Sequence, residues 1–143
     1  MKNLTSRKQK GRQLEKFVAK AFEEIYPFAY ARMDSGSGFR HKEDVTLPDN
    51  VLWHIECKNH NAPSVNSWWE QAKVGCPAWK IPVLVYRLPY QEDPTVVVFL
   101  YHLIGFMGKQ DITHIDPSDY TISMAFSKFM KLVKERENDK TTE

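Results

Sequence analysis

The stretch Glu43-Asp44-Val45-Thr46-Leu47-Pro48-Asp49-Asn50-Val51-Leu52-Trp53-His54-Ile55-Glu56-Cys57-Lys58 decides the fold. Apolar residues alternate on both sides of Pro48-Asp49-Asn50, the pattern of two strands joined by a turn, predicted over Asp44 to Leu47 and Val51 to Lys58. Side chains alternate across a strand, so Trp53, Ile55 and Cys57 face one way and His54, Glu56 and Lys58 the other. Val45 and Leu47 likewise oppose Asp44 and Thr46. For Val45 and Ile55 to share the buried face, the pairing register must be even, which requires an odd connection of about three residues. Asp44 then stands opposite Glu56 or diagonal to it, with Cβ atoms roughly 5 to 8 Å apart.

Two carboxylates this close repel unless a cation lies between them. A hard divalent ion, Mg²⁺ with Mn²⁺ as a substitute, takes two carboxylates, a backbone carbonyl and waters. Such an ion activates a water and stabilises charge on a phosphate. Lys58, two residues beyond Glu56 on the same face, is placed to hold that water or help deprotonate it. Spacing alone equally describes a solvated Glu/Lys pair with a nearby Asp. Glu43 is a rival to Asp44, although alternation puts it with Val45 and Leu47.

Working outward, Leu14, Phe17, Val18, Ala21, Phe22 and Ile25 follow the period of an amphipathic helix that Pro27 limits. Glu15 projects about 90° from the centre of that apolar stripe, with Lys8 and Arg12 on the same side. It could look across the sheet toward Asp44 and Glu56, or belong to an i, i+4 network with its basic neighbours. A short aromatic strand is predicted over Phe28 to Met33, then a loop over Asp34-Ser35-Gly36-Ser37-Gly38. A helix follows from Ser67 to about Val74, then strands over Ile81 to Arg87 and Thr95 to Tyr101. A strand from Tyr120 to Phe126 runs into a C-terminal helix. The order implies an α/β fold, a mixed β-sheet flanked by helices.

A chain of 143 residues, 42% apolar and 13% aromatic, reads as one globular domain over 1–143, with a flexible basic arm at 1–8 and a flexible tail at 137–143. No run approaches the ~20 apolar residues of a membrane span, and Met1 to Lys10 lacks the apolar core of a signal peptide, so a cytoplasmic, intracellular protein is expected. Cys57 and Cys76 read as reduced thiols, without the spacing of a zinc site. Net charge is only +2. Lys2, Arg7, Lys8, Lys10 and Arg12 cluster, however, as do Arg40, His41 and Lys42, and such groups can neutralise phosphates. Charge by itself also fits a solvated basic terminus.

Taken in order, these motifs resemble the PD-(D/E)XK nuclease superfamily, and within it the archaeal-type Holliday junction resolvases and their phage relatives. Lys10-Gly11-Arg12-Gln13-Leu14-Glu15 is similar to the first-helix motif, Ser35-Gly36-Ser37-Gly38 to the serine-glycine loop, Asp44-Val45 to the first metal motif and Glu56-Cys57-Lys58 to E-x-K. The likeness continues through Trp68-Trp69-Glu70-Gln71 and Ile81 to Tyr86. The chain departs from the pattern at Glu43, which stands where the superfamily's name has proline.

The resemblance implies a restriction-endonuclease-like core and a Mg²⁺-dependent endonuclease that cuts four-way DNA junctions symmetrically as a homodimer, and its phage relatives allow a phage-encoded origin. Asp44, Glu56 and the Cys57 carbonyl would bind metal, Glu15 would complete the shell, directly or through water, and Lys58 would act on the water. Ser35 or Ser37 would contact the scissile-strand phosphate and Gln71 would support the site, while Lys8, Lys10, Arg12, Arg40 and Lys42 would bind DNA. Trp68, Trp69, Tyr86 and Tyr101 are candidates for the dimer contact, although aromatic residues in a small domain are more often core. The alternatives are a related enzyme acting on flaps, forks or duplex DNA, and a non-catalytic nucleic-acid-binding module.

Overall fold

A computed structural model describes residues 4–31, 44–59, 64–102, 113–116 and 120–141 of the chain. Helix α1 spans Leu4–Glu23 and buries Leu14, Val18 and Phe22 completely, while Phe17 stays 44% exposed. It begins well ahead of Leu14. Good helix formers, Lys, Arg and Gln, carry it where the apolar period is missing, so residues 4–8 are part of the helix rather than an arm. Strand β1, Tyr30–Ala31, begins later than the aromatic pattern suggests, because Phe28 turns the chain in a left-handed conformation with its ring exposed, and the predicted Arg32 and Met33 lie outside the described residues.

Strand β2, Val45–Thr46, pairs antiparallel with β1 and with β3, Trp53–Asn59. Val45 faces Ile55, the even register that alternation requires. Six residues, Leu47 to Leu52, lie between the two strands rather than the expected three, and a bond from Val51 N–H to the Pro48 carbonyl (2.9 Å) closes the turn within them. Helix α2, Val65–Gly75, carries the chain over the sheet to β4, Ile81–Arg87. Strand β4 lies parallel to β3, from Trp53 opposite Ile81 to Asn59 opposite Arg87. Parallel neighbours need such a crossover.

Strand β5, Thr95–Phe99, returns antiparallel and gives way to a 3₁₀ turn at Leu100–His102, so it stops short of Tyr101. Strand β6, His114–Asp116, is too short to announce itself by alternation. It pairs with β7, Thr121–Ala125, which leads into α3, Phe126–Thr141. Helix α3 continues through most of the segment expected to be a frayed tail. The sheet has seven strands in the order β1-β2-β3-β4-β5-β7-β6, a mixed α/β arrangement.

The two faces of the sheet are packed separately. Under α1 and α3 lie Ile55, Val83, Val85 and Met124, with Trp53 edge-on to Phe129 at 5.5 Å. Under α2, Trp68, Trp69 and Ala72 pack on Leu84 and Val97. Trp68 and Trp69 are therefore core residues, corrected from their candidacy as contact surface, because burying aromatic rings of this size is worth more than presenting them to water. Tyr86 is half-buried against Trp68, and Tyr101 is exposed and stacked on Phe99. Among the described residues no helix is long and apolar enough to cross a membrane.

Candidate active site

The site is built where β2 meets β3. The amide of Asp44 donates to the Ile55 carbonyl (3.1 Å), although it is Val45 that stands opposite Ile55. Two residues sharing one partner make a β-bulge, a feature that re-aims side chains. The Asp44 carboxylate turns onto β3, where its Oδ2 accepts the Cys57 amide N–H at 2.8 Å. Asp44 is 6% exposed, and a charged acceptor on a buried amide is a strong hydrogen bond.

Glu56 and Lys58 flank Cys57 in sequence and share the opposite face of β3 from its thiol. Lys58 Nζ lies 3.5 Å from Glu56 Oε1, with both side chains about one-fifth exposed. They are thus partly sheltered yet open to a ligand. Glu15 is buried at 8% on α1. Its nearness to the strands shows in the electrostatics of Cys57: burial pushes that thiol well above its ordinary value, and Asp44, Glu15 and Glu56, in that order, push it further, while Lys58 opposes them. Asp44, Glu15 and Glu56 thus each act electrostatically on Cys57, from the start of β2, from α1 and from β3.

Among the described residues no three His, Cys, Asp or Glu side chains stand together as a ready-made metal cage. Asp44, Glu56 and the Cys57 carbonyl would offer two carboxylates and a main-chain oxygen, the donor chemistry that suits Mg²⁺ or Mn²⁺.

A residue outside the expected set completes the frame. Asn59 Nδ2 donates to the Lys10 carbonyl at 2.9 Å, tying α1 to the end of β3. The available signal was a polar residue continuing the apolar series Trp53, Ile55, Cys57. Lys10 is half-buried beside this bond, and Arg12 is exposed on α1. Gln71 is exposed on α2, one turn from Trp68. Ser35, Ser37, Arg40 and Lys42, the rival Glu43 and the side chain of Lys8 lie outside the described residues.

On the α2 face a cleft of about 800 Å³ runs past Tyr86, Thr95 and Ser123, with Glu70 and Asp116 in its wall. Its acids make it a poor seat for a phosphodiester backbone, whereas β3 places Lys58 beside Glu56.

No curated protein and no solved structure matches the chain. Residues 6–138 match the family described as "Phage putative PDDEXK endonuclease". That span contains Glu15, Asp44, Glu56 and Lys58 and the whole restriction-endonuclease-like sheet, and the chain belongs to this family of phage PD-(D/E)XK nucleases.

Proposed function

We propose that the chain is a metal-dependent, structure-specific DNA endonuclease, a Holliday junction resolvase that cuts four-way junctions by symmetric phosphodiester hydrolysis. The observation that supports the nuclease chemistry is the Asp44 carboxylate held on the Cys57 amide between Glu56 and Lys58, which form an ion pair. The preference for junctions rests on the ordered likeness of the Lys10–Glu15, Ser35–Gly38, Asp44 and Glu56–Lys58 motifs to archaeal-type resolvases.

Asp44, Glu56 and the Cys57 carbonyl, with Glu15 directly or through a water, would hold Mg²⁺, with Mn²⁺ able to substitute. This ion supplies an activated water and charge stabilisation at the phosphate. The bond from the Cys57 amide fixes the direction of the Asp44 carboxylate, so the acid need not reorganise as the substrate arrives. Lys58 Nζ donates to the attacking water and to the phosphate oxygen on which charge builds, while Glu56 keeps the ammonium in place. Lys8, Lys10, Arg12, Arg40 and Lys42 neutralise flanking phosphates, Ser35 and Ser37 bond the scissile strand, and Gln71 braces the site from α2. One site per chain and two cuts per junction call for a homodimer working inside the cell.

The test offers matched four-way, three-way, flap and linear duplex DNAs with Mg²⁺ to the wild type and to Glu56→Ala. Cutting confined to the four-way junction, and lost in the variant, is the expected result. Efficient wild-type cutting of flaps, forks or duplex would replace resolution with a broader nuclease activity. Binding without any cutting would leave a non-catalytic DNA-binding module.

A further inference from the structure

Among the described residues three non-glycine residues adopt positive φ, and all three are exposed aromatics: Phe28 (73°), Tyr90 (75°) and Tyr120 (56°). A bulky residue in this region is a genuine outlier, and glycine or asparagine would sit there at lower cost. Phe28 precedes β1 and Tyr120 precedes β7, both at the end of the sheet where β3 and β4 begin. Tyr90 is at the other end. It lies in the turn after β4, whose Tyr86 is paired with Lys58 and whose Arg87 is paired with Asn59. Strand spacing and chain length put its Cα at most about 20 Å from that of Lys58, the diameter of a duplex.

The turn is held firmly although Tyr90 itself is fully exposed, at 105%. Gln91 bridges it from inside: its Oε1 accepts the Leu88 amide (2.9 Å), its own amide donates to the Leu88 carbonyl (3.2 Å), and its Nε2 donates to Thr95 Oγ1 (3.1 Å). Asp93 then accepts the amide and hydroxyl of Ser127 at the start of α3 (3.0 and 2.6 Å), and the Pro94 carbonyl accepts the Phe126 amide. An aromatic ring is thus presented to solvent on a braced support at the catalytic end, in a strained backbone state that packing does not require. Observed strain of this kind points to function.

We infer that Tyr90 stacks on an unpaired or unstacked nucleobase of the DNA substrate, so that this turn selects branched or frayed DNA over continuous duplex. The inference rests on the nuclease reading above. Glu92 and Asp93 beside Tyr90 repel a phosphate backbone, which leaves the flat face of a base as the DNA surface the turn can accept. Stacking on a base needs only the ring, and a braced backbone beneath it lowers the entropy lost on contact.

The experiment compares wild type, Tyr90→Phe and Tyr90→Gly, glycine being suited to the left-handed backbone so that the fold is kept. Each is titrated with a four-way junction and a fork carrying 2-aminopurine at the branch, and with a linear duplex carrying it at the centre, using Ca²⁺ in place of Mg²⁺. Wild type and Y90F are expected to quench the branch fluorophore. Y90G is expected to lose the quenching and to bind branched DNA about 5- to 150-fold more weakly, with duplex affinity held. Unchanged quenching and affinity in Y90G would overturn the inference, as would an equal loss on duplex, or a change in oligomeric state with DNA binding intact. If wild type cuts DNA with Mg²⁺ while Y90G behaves identically, only this inference falls. A wild type that neither binds nor cuts DNA would overturn the nuclease reading and this inference together.

Discussion

The Asp44 carboxylate accepts the backbone N–H of Cys57 across the β2–β3 pair at 2.8 Å. This bond spans the bulge, and it gives Asp44 a structural duty beside the chemical one proposed for it. Asp44→Ala removes the acceptor and strands a buried amide, at a cost of about 1 to 3 kcal/mol. Asp44→Asn keeps an oxygen acceptor while removing the charge. Denaturant melts should therefore rank Asn above Ala by about 1 kcal/mol or more, with cleavage lost in both; equal stability of the two would show the bond to be unimportant.

Cys57 reports on the same cluster. Burial, then Asp44, Glu15 and Glu56, raise its thiol above the ordinary value. A group with a raised folded-state pKa contributes stability that is present below its unfolded pKa and lost as pH rises through the folded one. Cys57 should therefore stay unmodified by iodoacetamide at neutral pH while half-buried Cys76 reacts first, and Asp44→Asn should move the onset of Cys57 alkylation to lower pH. Peptide mapping of alkylated protein across a pH series reads both effects.

Tyr26 gives a second test of pH dependence, away from the site. Its hydroxyl donates to Glu137 Oε1 at 2.8 Å, joining the turn after α1 to α3. Burial, then Glu137, raise its pKa far above the ordinary tyrosine value. By the same sign, this contribution is full below pH ~10 and declines as pH rises beyond it. Tyr26→Phe should lose about 1 to 2 kcal/mol at neutral pH, and its stability should fall less steeply than wild type in alkaline melts.

Gly11 lies within α1, and a Cβ placed there would meet nothing within 4 Å. Gly11→Ala should therefore stabilise the protein by about 0.5 to 1 kcal/mol, the ordinary cost of glycine in a helix interior. A loss of stability in a thermal melt would mean that the start of α1 is packed differently.

Much of this arrangement was legible in the sequence, where side-chain periodicity carried it. Alternation in β3 separated Trp53, Ile55 and Cys57 from Glu56 and Lys58, and it required the even register in which Val45 faces Ile55. The bulge at Asp44 was not legible, because it depends on which carbonyl one amide selects across the pair. Strand β6 has too few residues for a period to show. The contact between Asn59 and Lys10 joins residues far apart in the chain, and only the packing of α1 on β3 reveals it. The rigid turn at Tyr90 is equally invisible in sequence, since its bracing comes from Gln91, Asp93 and the start of α3 acting together.

The central claim is that Asp44, Glu56 and Lys58 form a metal-dependent site for phosphodiester cleavage. Its most direct test is the single-turnover rate of Mg²⁺-dependent cutting of a four-way junction by wild type, Glu56→Ala and Lys58→Ala, with binding measured on the same samples. The account predicts that both variants bind the junction yet cut it at least about 10²-fold more slowly, and that chelating Mg²⁺ abolishes wild-type cutting. Variants that bind and cut at the wild-type rate would contradict it.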